Sequence, residues 1–246
     1  MRLFLVEMGV IVLLSIVVGQ SVRDYHPKGI VKNYQLITVQ PITSFIPQII
    51  MYASMSIGLA CGTDGVNVFQ ADRQLYFREA AAGCNKLAYY LGNVIASMYR
   101  LTMAAFVFST IFHIIPELFL DFGWMFLAHF LLAVNSYAVS HICSFLLAPR
   151  MSPLISAIIV LSLCCLSGFI PYPGIMKKFS FAFWFAQIVA DLMYRPQDHI
   201  FQDPLREWDW TYDERGMAVG IMVAMAAFFH VVAFIVMIRA NRDQQR

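Results

Sequence analysis

With 246 residues, 60% of them hydrophobic and 13% charged, and a mean hydropathy of +0.67, this chain carries more apolar surface than a soluble domain can hide, since such domains hold about 25% charged residues. The apolar residues come in blocks long enough to cross a bilayer, which points to a helical membrane domain. The net charge of +2 singles out no partner, and the scattered basic residues form no aromatic-interleaved stretch, so nucleic-acid binding has no support.

Residues 3–19 form the first block. The basic flank Met1-Arg2 suggests a signal peptide, but the block holds Glu7, and Gln20-Ser21-Val22-Arg23 lacks the small-x-small cleavage pattern, so a retained span is expected. Further spans are predicted over 47–69, 93–115, 118–147, 153–170 and 217–238, against the roughly 20 residues a transmembrane helix requires. Residues 179–194 are apolar and aromatic, carry Asp191 and are too short to span comfortably. They predict a re-entrant or interfacial helix buried against the bundle, inside a long outer segment over 171–216. The whole chain, 1–246, reads as a single transmembrane domain.

Charge counting orients the chain. With both termini cytoplasmic, the inner segments hold nine basic residues, among them Arg73, Arg78, Lys86, Arg100 and Arg150, and the outer ones hold eight. The positive-inside rule favours this orientation by that one residue, and the basic end from Arg239 to Arg242, just after a span, supports it.

Chemistry-bearing residues are sparse. Of five cysteines, only Cys84 lies outside the apolar blocks, and the set reads neither as a disulfide framework nor as a metal motif. The six histidines, at 26, 113, 129, 141, 199 and 230, show no ligand spacing. No Gly-x-Ser-x-Gly elbow and no paired carboxylates on facing helices are visible, so no catalytic site and no metal site is expected. Glu7 and Asp64 lie within apolar blocks, where an Asp costs about 2.5–3.5 kcal/mol at a helix centre. Each either reaches water or a neighbouring helix, or marks a proton or cation path.

The segment over 71–92, between the second and third spans, is the most informative. Its Leu, Arg, Glu and Ala residues favour helix and Gly83 favours a stop, giving a short charged and aromatic helix just outside the membrane, suited either to docking a partner or to solvation at the headgroups. Asp72-Arg-Gln-Leu-Tyr-Phe-Arg-Glu79, followed by Gly83 and then Ala88-Tyr-Tyr-Leu-Gly92, resembles the membrane domain of ABC transporters of the G (White) subfamily, half-transporter type. The likeness covers nearly the whole chain, with Ser167-Gly168 closing the fifth span.

That resemblance implies a six-span, all-α bundle of the type-2 ABC exporter kind, pairing with a second transmembrane half as a homo- or heterodimer. It implies that Asp72, Arg73, Arg78 and Glu79 make the polar contact with a nucleotide-binding domain, with Tyr76 and Phe77 packing beneath. Phe169 and Ile170 fall where the family places an apolar plug. The family's substrate-stacking aromatic falls at Ala60, so Leu59 and Ala60 would offer an apolar wall for an apolar or amphipathic substrate. No Gly-x-x-x-x-Gly-Lys-Ser/Thr run exists, so this chain binds no cofactor in that reading, and ATP and Mg belong to the partner domain. The chain would be either a separate subunit that recruits an ATPase in trans or a piece of a longer half-transporter. The competing expectation is an ATP-independent channel, ion-coupled carrier or scaffold that uses Glu7 and Asp64.

Overall fold

The computed structural model describes residues 2–23, 42–70, 73–116, 120–167, 174–194, 209–211 and 214–239, and every regular element among them is an α-helix. The order is α1 (Arg2–Arg23), α2 (Ile42–Gln70), α3 (Arg73–Ala81), α4 (Lys86–Ile114), α5 (Phe122–Leu146), α6 (Ser152–Cys165), α7 (Gly174–Lys178), α8 (Phe181–Tyr194) and α9 (Arg215–Arg239). Five of these, α1, α2, α4, α5 and α9, are long and apolar enough to cross a membrane. The chain is therefore an integral, multi-pass, all-helical membrane bundle.

The fifth predicted span, 153–170, is helical over Ser152–Cys165. Fourteen residues rise about 21 Å, short of a hydrocarbon core of about 30 Å. The helix tightens at its end, where the Leu166 and Ser167 amides reach back three residues to the Leu163 and Cys164 carbonyls. Residues 168–173, including Phe169 and Ile170, lie outside the described residues.

Helix starts and stops follow local chemistry. Asn85 accepts from the amides of Leu87 and Ala88 and so opens α4, and Asp121 accepts from Gly123 to open α5. Pro153 occupies the first turn of α6, where a missing amide costs nothing. Gly83, with φ of +89°, takes the left-handed turn that ends α3.

At the centre stands α5, which packs most extensively on α2 and then on α9. Nearly all of its second half is buried, polar residues included. Small residues allow this. A side chain at Gly65 would meet the Tyr137 backbone at 3.1 Å, and one at Gly58 would meet the Cys164 sulfur at 2.8 Å, the close approach that membrane bundles build with small residues. Interhelical hydrogen bonds add direction: Ser156 to Ser140 at 2.8 Å, Asn135 to the Met222 carbonyl at 3.1 Å, and Tyr90 with His230 at 2.9 Å.

The predicted short helix before the last span is α8. It lies between α2, α5, α6 and α9, and of its described side chains only Trp184 is even partly exposed. Asp191, fully buried, pairs with Arg215 at 2.5 Å, and that guanidinium also sits 5.3 Å over the Trp124 ring. The pair fastens α8 to the start of α9.

Candidate functional site

Two regions hold the polar chemistry. The first is α3 with its surroundings. Tyr76 is buried under α3 against Tyr89 and Phe77, and it joins a cluster that contains Phe69, Tyr90, Phe145, Ala233 and Met237. Removal from water raises the Tyr76 phenol above its ordinary range. Arg73 does not point outward: it donates to the Leu147 carbonyl at 3.3 Å and lies 5.8 Å over the Phe77 ring. The short helix is thereby tied to α2, α4, α5 and α9 at one end of the bundle. Its other face carries Gln74, Leu75 and Arg78 exposed and Glu79 half-exposed. Of the predicted coupling residues, Arg78 and Glu79 thus stand outward, Tyr76 is buried, Phe77 is half-buried and Arg73 turns inward. Asp72 lies outside the described residues. The second half of the predicted segment belongs to the span, since α4 begins at Lys86.

The second region lies inside the bundle. Arg100, on α4, donates from Nη2 to the Asp64 Oδ1 on α2 at 2.5 Å, and the same nitrogen bonds the Glu7 Oε2 on α1. The Tyr137 hydroxyl, from α5, donates to the other oxygen of Asp64. All three charged side chains are mostly withdrawn from solvent, with exposures of 16% for Glu7, 13% for Asp64 and 27% for Arg100. They border a cavity of about 130 Å³ that is also lined by Val6, Ile11, Ala60, Cys61, Thr63 and Asn67. Ala60 forms part of the cavity wall, whereas Leu59 is half-buried and is not among its lining residues.

Two expectations change. Arg100 was counted among the inner loop charges, yet it lies midway along α4, where its two carboxylates, contributed by α1 and α2, make the buried charge tolerable. Without it the basic count is eight on each side, and the charge-based orientation loses its margin. Glu7 and Asp64, weighed separately in the sequence, meet on one guanidinium. Sequence reasoning missed Arg100 and Tyr137 as their partners. The available signal was an arginine inside an apolar run, which requires a counter-charge from a neighbouring helix.

Histidines also converge. His141 and His230 have ring centroids 5.6 Å apart, and His129 lies beside Ser109 at 2.9 Å. Among the described residues no group of three His, Cys, Asp or Glu side chains could hold a metal ion.

Comparison with known proteins agrees with the bundle. The ABC-type transporter claG of Penicillium crustosum is 24% identical over 191 residues, which cover 72% of this chain and 24% of that protein, so the chain spans about a quarter of the relative's length. Residues 2–194, the greater part of the chain and the stretch that holds α1 to α8, match the family model described as ABC-2 type transporter. By that match, together with a helical bundle of span-length helices, the chain belongs to the ABC-2 family of transporter membrane domains.

Proposed function

We propose that this chain is the transmembrane half of an ATP-driven exporter of the G (White) subfamily, acting with a second half of the same or a related kind. The nucleotide-binding domain, supplied in cis or in trans, docks on α3 at the cytoplasmic side, and both termini face the same compartment. One observation carries the reading. A short helix is anchored on one side by Tyr76 and Arg73, while Gln74, Leu75, Arg78 and Glu79 remain available on the other. A helix held in that way transmits a push on its outer face to the ends of α2, α4, α5 and α9, because the cluster beneath it repacks as a unit rather than deforming continuously.

In this mechanism an apolar or amphipathic substrate enters beside α2, with Leu59 and Ala60 as wall. Closure of two ATP-bound domains then drives it past Phe169 and Ile170 by alternating access, and hydrolysis resets the bundle. The competing ion-coupled reading is less favoured, because both of its carboxylates are engaged by Arg100 and the family is that of ABC transporters. Flux that survives ATP depletion but disappears in Asp64→Asn would reverse this preference.

The test is a paired charge reversal, Arg78→Glu with Glu79→Arg, in the complete transporter. The expected outcome is retained basal ATP hydrolysis with loss of substrate stimulation and of export. Unchanged substrate-stimulated hydrolysis and transport would reject the coupling role.

A further inference from the structure

The cavity among α1, α2, α4 and α5 has a polar floor and an apolar mouth. Arg100 sends both of its carboxyl bonds, to Glu7 and to Asp64, from Nη2, so part of the five-donor guanidinium fork is left for a ligand. Glu7 and Asp64 also meet each other, and the Tyr137 hydroxyl is committed to Asp64. The Thr63 hydroxyl donates to the Leu59 and Ala60 carbonyls of its own helix, at 3.1 Å each, which leaves its oxygen as an acceptor. Val6 and Val10 line the same cavity yet are 64% and 44% exposed, so it opens beside them at the outer surface of α1.

Depth and direction fit a lipid-like occupant. The span-length stretch of α1 begins at Val6, and that of α2 ends at Gln70. Glu7 and Asp64 therefore lie within about 9 Å of those ends at 1.5 Å per residue, near a membrane boundary rather than the bilayer centre. From the mouth, Val6, Val10, Leu13 and Val17 follow one another at helical spacing as an exposed apolar strip on α1 that runs deeper into the span.

The floor also selects the head. A carboxylate head only accepts hydrogen bonds and would compete with two carboxyl groups for Arg100, whereas an ammonium head only donates and would meet a permanently charged guanidinium. A hydroxyl both gives and takes, which suits a floor that holds acceptors and donors together. The volume of about 130 Å³ admits about four groups of water size at 30 Å³ each, enough for a head and its first methylenes but not for a whole lipid.

We propose that this cavity is a head-group site for a neutral, single-chain amphiphile: a hydroxyl head sits among Glu7, Thr63, Asp64 and Arg100, and its alkyl tail leaves past Val6 and Val10 to lie along α1. The inference rests on the export reading in one respect, since that reading puts this end of α2, next to α3, on the cytoplasmic side and so draws the occupant from the inner leaflet. Binding itself requires neither nucleotide nor a partner domain.

The experiment is photocrosslinking of the full chain in phosphatidylcholine nanodiscs, with hexadecanol that carries a diazirine midway along its chain and with adducts mapped by peptide mass spectrometry. Adducts should fall on the α1 strip. Excess plain hexadecanol should suppress them about tenfold further than the same excess of hexadecane, the worth of roughly one hydrogen-bonded head. Hexadecanoic acid and hexadecylamine should compete less well than the alcohol. Ala60→Phe, which puts a ring into the cavity wall, should remove most of the labelling, and Thr63→Val should weaken it. Equal suppression by hexadecane would reduce the strip to ordinary lipid contact and overturn the proposal. Stronger competition by the acid or the amine, adducts away from α1 and α2, or undiminished labelling in Ala60→Phe would do the same, as would a strip shielded by the second transmembrane half in the assembled transporter. The competition arm uses the wild type and decides the matter even if a variant fails to fold. Because binding is read without nucleotide, a negative result strikes this site alone and leaves the docking role of α3 to the charge-reversal test.

Discussion

Arg100 of α4 and Asp64 of α2 meet at 2.5 Å within the bundle, 36 residues apart in sequence. Because Glu7 shares the same nitrogen, Arg100 is the contact through which α1 is tied electrostatically to α2 and α4. Arg100→Gln should destabilise the chain by about 2–3 kcal/mol, below the roughly 3–5 kcal/mol for a fully buried pair because the guanidinium is 27% exposed. Thermal unfolding in detergent measures this. Glu7→Gln, which leaves a balanced pair, should cost clearly less, and equal losses would contradict the ion-pair account.

Gly65 sets the distance between α2 and α5. An added methyl would lie 3.0 Å from the Ser140 Cβ and 3.1 Å from the Tyr137 Cα, and backbone cannot yield as a side-chain end can. Gly65→Ala should therefore cost about 1–3 kcal/mol and loosen the Tyr137 hydroxyl from Asp64. Gly92→Ala meets nothing within 4 Å and should be neutral or stabilising by up to about 1 kcal/mol through helix propensity. Paired melting curves of the two variants would show the contrast.

Tyr76 anchors α3 by its ring rather than its hydroxyl, which is buried with no hydrogen-bond partner among the described residues. Tyr76→Ala should release the helix locally, at a cost of about 3 kcal/mol, read as faster amide exchange over residues 73–81. Tyr76→Phe should leave exchange nearly unchanged. The phenol is raised above its ordinary value by burial, so the docked state binds the proton more tightly than the undocked one. Its stabilising contribution is complete below the ordinary tyrosine value of about 10 and is lost as pH rises through the higher docked value. Tyr76→Phe should abolish that alkaline loss of protection.

Cys84 is a native reporter of topology. It is exposed in the turn after α3, whereas Cys61, Cys143 and Cys164 are buried and Cys165 is half-buried. In a Cys165→Ser background, a membrane-impermeant maleimide should modify Cys84 in inside-out vesicles and leave it untouched in intact cells. Labelling from outside in intact cells would put α3 beyond the reach of any cytoplasmic ATPase.

Span-length helices were legible because a bilayer imposes a length and a solvent preference that any apolar block must satisfy. The α3 boundaries were legible for a local reason, the left-handed turn at Gly83. The short reach of α6 was not, since hydropathy stays high beyond Cys165 while the backbone already tightens into three-residue bonds. Nor was the direction of Arg73 legible: residue type marks a charge, but only the neighbouring Leu147 carbonyl and Phe77 ring decide that it folds inward.

The amino-acid sequence alone determined that this protein is a helical membrane domain, the order and approximate position of its long apolar helices, and which family it resembles, because those properties depend on local composition and periodicity. Only the tertiary structure decided that Glu7, Asp64, Arg100 and Tyr137 form one cluster and that α8 lies buried between four helices. Those are relations between distant residues, fixed by how closely small side chains let helices approach and by the need of each buried charge for a partner.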